Sequence, residues 1–141
     1  MKLVLDTNVV ISGFLWGGIP YRIMRLAEMG KYRLFSSVPI LEELEHTLAY
    51  DKFALQLTAA NLNPAKARAE YEEIVTIVEP VPFAKIIVKT DPSDDKIIAT
   101  ALSARAEFII SGNSHLLDLR HSYAFRILTP AVFLHTIASA M

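Results

Sequence analysis

Apolar residues fall along this chain in two alternating rhythms: compact runs of three or four, and longer stretches with an apolar residue at every third or fourth position. The first rhythm predicts buried strands and the second amphipathic helices. Lys2–Leu5 is the opening strand, and Asn8–Leu15 continues as a helix up to the Gly17-Gly18 break. Pro20 before and Gly30 after punctuate a second helix over Tyr21–Met29, which carries Ile23, Met24, Leu26 and Ala27. Arg33–Ser36 is predicted as the second strand. Leu41, Leu44 and Leu48 share one stripe of a helix over Pro39–Tyr50, and Tyr71, Ile74, Val75 and Val78 share one over Pro64–Val78. Beyond these, Ile86–Val88, Phe108–Ser111 and Phe125–Leu128 are predicted strands, and Ser93–Arg105 and Pro130–Ala140 predicted helices. The Lys52–Ala67 stretch reads as a connection between helices that shapes a substrate entrance.

Strands alternating with helices of ten or more residues predict an α/β fold, a central parallel sheet flanked by helices in three α/β/α layers. With 141 residues and 52% hydrophobic content the expectation is a single domain over residues 1–141 with a real core. In such sheets ligands gather beyond the carboxyl ends of the strands, where the strand order reverses. Asp6, at the end of the first strand, belongs to that edge, as does the Ser111-Gly112-Asn113 turn after Phe108-Ile109-Ile110. The two face one crevice if their strands are neighbours.

Composition narrows the chemistry. The chain holds no apolar run long enough to span a bilayer and opens on a strand instead of a charged-then-apolar leader, so no membrane partner is expected. The absence of cysteine excludes disulfides, zinc–thiolate sites and cysteine nucleophiles and agrees with a cytoplasmic location. A net charge of −1 excludes the broad electrostatic grip of a basic nucleic-acid-binding domain. A polyanionic substrate would therefore need local basic groups, such as Arg22, Arg25, Lys31 and Arg33, or a bridging cation.

Taken singly, each candidate acid has an ordinary reading. Asp6 or Asn8 would cap the following helix; Asp94 and Asp95, just after Ser93, would offset the positive end of a helix dipole; Glu42, Glu43 and Glu45 would form a solvated helix face. Periodicity does not choose among the three glutamates. His46, His121 and His135 lack metal-ligand spacing and read as surface or core histidines. Phe14-Leu15-Trp16 reads as packing at a helix end, with a partner surface as the alternative.

In combination the acids say more. Val4-Leu5-Asp6-Thr7-Asn8, Ile40-Leu41-Glu42-Glu43-Leu44, Asp91-Pro92-Ser93-Asp94-Asp95 and Ile110-Ser111-Gly112-Asn113 follow one another in an order that resembles the PIN-domain family, in particular the toxin components of bacterial and archaeal toxin–antitoxin pairs. The resemblance runs from about Lys2 to Leu134. It implies a three-layer fold and a metal-dependent ribonuclease, with Mg²⁺ or Mn²⁺ held by Asp6, Glu43 and Asp95 as the catalytic acids. It further implies supporting roles for Asn8, Asp91, Asp94, Ser111 and Asn113, an RNA substrate, a protein antitoxin and a homodimer. One departure stands out: Asn113 and His115 occupy positions where relatives commonly carry late acids.

The chemistry of such a site is elementary. Carboxylates alone repel a phosphodiester, and a divalent cation among them reverses the local potential, polarises a phosphoryl oxygen and lowers the pKa of an attacking water. An oxygen-only donor set favours Mg²⁺ or Mn²⁺ over Zn²⁺. Two other readings remain: a catalytically weakened PIN-like module that binds RNA or a protein, for which Asn113 and His115 speak, and a small Mg²⁺-dependent phosphatase with Asp6 as nucleophile.

Overall fold

A computed structural model of the chain describes residues 1–82, 92–117 and 125–140. Five short strands, β1 (Lys2–Leu5), β2 (Arg33–Ser36), β3 (Val75–Ile77), β4 (Phe108–Ile110) and β5 (Arg126–Leu128), form one sheet in the order β3-β2-β1-β4-β5. Every pairing is parallel, with Leu3 level with Leu34 on one side and Leu5 level with Ile110 on the other. Parallel strands need long crossovers, and the connections supply helices. These are α1 (Thr7–Leu15), α2 (Gly18–Glu28), α3 (Val38–Leu48), α4 (Ala54–Ala59), α5 (Pro64–Ile74), α6 (Pro92–Ala104), α7 (Ser114–Leu117) and α8 (Pro130–Ala140).

The strand period of two divides the core. Leu3 and Leu5 of β1 point to one face, where they meet Val10, Ile23, Leu44, Tyr71 and Phe133 of α1, α2, α3, α5 and α8; Val4 points to the other, where it meets Ile97, Ile98 and Ala101 of α6. The sheet is thus buried on both sides, which explains why its strands read as continuous apolar runs. This is the expected three-layer α/β/α architecture. No helix among the described residues is long and apolar enough to cross a membrane.

Local chemistry sets the boundaries, and in several places differs from the pattern. Helix α2 begins at Gly18, not Tyr21, and holds Pro20 in its first turn, where a missing N–H costs nothing. The turn into it takes φ of 70° at Gly17 and 68° at Gly18, a conformation strained for any side chain. Helix α5 starts as expected, with Asn63 Oδ1 accepting the Lys66 amide at 2.8 Å and Pro64 in the first turn, but it stops at Ile74. Val75, Thr76 and Ile77 then pair with Leu34, Phe35 and Ser36 as an edge strand. The helical stripe drawn through Val75 and Val78 was therefore a β-branched strand, the conformation such residues favour. The Asp51–Phe53 3₁₀ turn and α4 occupy what reads in sequence as a connection. The Ile86–Val88 strand falls outside the described residues.

Candidate active site

The strand order reverses between β1 and β4: the chain leaves β1 toward β2 on one side and returns in β4 on the other. Asp6 and Ser111 terminate these two strands, so the switch point that opens a ligand crevice in parallel sheets has an acid on one lip and a hydroxyl on the other. The Asp6 amide donates to the Ile110 carbonyl at 3.0 Å, which fixes the acid beside β4. Ser111 Oγ donates to Asp6 Oδ2 at 2.7 Å and accepts from the Asn113 amide at 2.9 Å. Ser111 is fully buried and Asp6 is 8% exposed.

Asp6 occupies the cap position of α1 without a side-chain capping hydrogen bond; its carboxylate is turned to Ser111 instead. Burial raises the Asp6 pKa, the Ser111 hydrogen bond lowers it, the Glu43 charge raises it and the Asn8 and Thr7 amides lower it, for a net displacement upward. The Glu43 contribution places a second carboxylate within electrostatic reach.

Glu43 comes from α3, and a residue the motif analysis passed over ties it to α1. Thr7, 4% exposed, donates from Oγ1 to Glu43 Oε2 at 2.9 Å. The structure thereby chooses among the glutamates that periodicity left open: Glu42 is exposed, Glu45 pairs with Arg68 at 3.1 Å, and Glu43 turns inward. The signal for Thr7 was present in Asp6-Thr7-Asn8, since the first helical residue after a strand-end acid faces the neighbouring helix. Asn8 itself is exposed and makes no side-chain hydrogen bond to these acids.

Asp95 lies in the first turn of α6, which leads into β4 and so begins at the carboxyl edge of the sheet. Ile97, Ile98 and Ala101 anchor the helix in the core. A buried pair fixes α6 to the start of α3: Ser37 Oγ and Thr100 Oγ1 lie 2.7 Å apart, and because Thr100 gives its proton to the Lys96 carbonyl, Ser37 is the donor. Asp95 Oδ1 is buried with no hydrogen-bond partner among the described residues. Such an oxygen is costly unless something electropositive meets it.

The structure thus brings together Asp6, Glu43, Ser111 and the Asn113 backbone, and sets Asp95 on the same edge. Among the described residues no three acidic, histidine or cysteine side chains form a group that could share one ion. Asp91 and the side chains of Asp94 and His115 fall outside the described residues. Lys31 and Arg33, considered as guides for a polyanion, stand at the opposite, amino edge of the sheet, just before β2 and at its first residue. A cavity of about 980 Å³ lies between α2 and α5, and none of these acids lines it.

A parallel five-stranded sheet with acids gathered at its switch point defines a class of α/β domain built to act beyond its strand ends. The family profile of the PIN domain matches residues 2–115, and the chain belongs to the PIN-domain family, a family of nucleases. Two solved structures share the fold. VapBC2 from Rickettsia felis, determined bound to a DNA fragment from its promoter, is 13% identical, with a TM-score of 0.64 over 90% of this chain and 97% of that one. VapBC-1 from nontypeable Haemophilus influenzae is 18% identical, with a TM-score of 0.60 over 93% of this chain and 99% of that one. No curated protein sequence matches the chain.

Proposed function

We propose that the chain is a divalent-metal-dependent endoribonuclease and the toxin of a toxin–antitoxin pair, with Asp6, Glu43 and Asp95 as the acids that hold Mg²⁺ or Mn²⁺. The observation that carries this reading is the pairing at the switch point: a buried Asp6 held by Ser111 with the Glu43 carboxylate close enough to raise its pKa. Two carboxylates so placed, and an Asp95 oxygen with no donor among the described residues, are a donor set suited to a hard cation. Carboxylates drawn to one point repel one another until a cation lies between them.

The chain's own groups have separate tasks in this reading. Ser111 orients Asp6 by donating to Oδ2. Thr7 orients Glu43, and the Ser37–Thr100 pair holds α6 in register with α3. Asp91, Asp94, Asn8 and Asn113 have supporting roles in this reading. A divalent cation would supply charge neutralisation at the phosphoryl oxygen and a lowered pKa for the attacking water. An RNA strand is the substrate, a small protein antitoxin covers the site, and the chain acts as a homodimer.

Asn113 favours a second reading, a binding module with weakened catalysis, because an amide at the end of β4 brings no charge to the crevice. Incubation of the purified chain with single-stranded and structured RNAs, in Mg²⁺, Mn²⁺ or chelator, separates the two. The enzyme reading expects cleavage that requires metal and disappears in Asp6→Asn. Gain of activity in a variant carrying both Asn113→Asp and His115→Asp would show the late positions limiting the rate. RNA that stays intact in either metal, including with that double variant, refutes the enzyme reading.

A further inference from the structure

The amino edge of the sheet, at the far end of β1 and β4 from Asp6 and Ser111, carries a second cavity of about 360 Å³. Its walls are Leu26, Tyr32, Phe108 and Ile137, with Lys31 and Glu107 at the rim. The volume falls in the range of sites that enclose a small molecule.

The walls are preformed and almost without polar function. Tyr32 and Phe108 both stand edge-to-face against the fully buried Phe133, at centroid distances of 5.5 and 5.7 Å. Both hydroxyls on the lining are already committed: Tyr32 Oη donates to the Ile23 carbonyl at 2.6 Å and Thr136 Oγ1 to the Val132 carbonyl at 2.8 Å. A sugar or a polar metabolite would lose its water hydrogen bonds there without replacement. A flat ring or a branched alkyl group would find aromatic surface on two sides.

Charge at the mouth selects further. Lys31 is exposed at the rim with no ion pair among the described residues. The rim acid, Glu107, is turned to the Met1 amino nitrogen at 4.0 Å. One cation without an ion pair among the described residues, beside an apolar cavity, complements one anionic group on an apolar body.

We infer that this amino-edge pocket binds a small apolar acid, an aromatic or branched carboxylate whose body lies between Tyr32, Phe108 and Ile137 while its carboxylate faces Lys31. The inference stands independently of the nuclease reading, because it uses none of the carboxyl-edge residues.

The test is an NMR titration of the full chain with 2-naphthoate and, in parallel, with the uncharged 2-naphthalenemethanol. One-site, saturable shifts should cluster at Leu26, Tyr32, Phe108 and Ile137. The acid should bind about threefold tighter than the alcohol, as expected for one partly exposed charge pair. That preference should fall to about one in Lys31→Gln. Thr136→Trp, from α8 on the pocket lining, should abolish binding of both probes; the shift map of the unmodified chain gives the location should that variant fold poorly. Shifts centred elsewhere, no saturation at millimolar probe, equal affinity for acid and alcohol, or a self-associated chain already covering these residues would each overturn the inference.

Discussion

Replacing Asp6 by Asn should make the metal-free protein more stable while removing its activity. At 8% exposure the carboxylate has given up most of its hydration, a penalty of several kcal/mol for an ion in a protein interior. The Ser111 hydrogen bond, to a charged acceptor, returns about 1.5–3 kcal/mol. Glu43 adds repulsion, and the raised pKa of Asp6 says that the balance remains unfavourable to the ion. An asparagine keeps an acceptor for Ser111 and discards the charge, so about 1–2 kcal/mol of stability should appear at pH 7, or about 3–8 °C in Tm for a chain of this size. The pH dependence identifies the cause. A carboxyl group whose pKa is higher folded than unfolded loses its proton first in the unfolded chain, so its ionisation removes stability as the pH rises from the ordinary carboxylate range through the folded value. The two proteins should melt together below that range, with a gap that opens on raising the pH and then stays constant. Mn²⁺ should invert the order, because an ion at 100 times its Kd stabilises the protein that binds it by about 2.7 kcal/mol and leaves the other unchanged. Calorimetric melts from pH 3 to 8, with Mn²⁺ and with chelator, measure all of this. Equal melting at pH 7, or a gap of undiminished size at pH 3, would refute the reasoning.

Other substitutions address neighbouring links. Ser111→Ala leaves Asp6 Oδ2 and the Asn113 amide without their shared partner, so stability should fall by about 1–3 kcal/mol in denaturant titrations, and the Asp6 pKa, read by carboxyl NMR, should rise further. A methyl group at Gly13 would stand 2.6 Å from Met24 Sδ and 3.4 Å from the Pro20 backbone where α1 crosses α2; Gly13→Ala should cost about 1–3 kcal/mol, and a neutral result would show that Met24 swings aside freely. Tyr71 is fully buried and its hydroxyl has no partner among the described residues, so Tyr71→Phe should be neutral or stabilising by up to about 1 kcal/mol, whereas a loss above that would reveal a hidden hydrogen bond.

What the sequence disclosed, and what it concealed, follows from the range of the interactions. Lys2–Leu5 and Phe108–Ile110 are legible because strands buried on both faces must be apolar throughout, and an acid directly after such a run has to sit at the strand end. That Asp6 and Ser111 touch is a pairing across more than a hundred residues, and no local pattern carries it. The choice of Glu43 over Glu42 and Glu45 likewise waits on α1, since a half-buried glutamate on a helix wheel looks the same until its neighbour is placed. Val75–Ile77 was concealed for a different reason: four apolar positions at helical spacing also satisfy a strand, and the open side of β2 decides between them.

The central claim is that Asp6, Glu43 and Asp95 close on one divalent ion at the switch between β1 and β4. Anomalous diffraction from crystals of the chain grown with Mn²⁺ tests it without reference to catalysis. The account predicts a peak bounded by oxygens of these three side chains and absent in Asp6→Asn crystals. A well-ordered site with no peak, or Mn²⁺ bound elsewhere with Asp95 turned away, would contradict it.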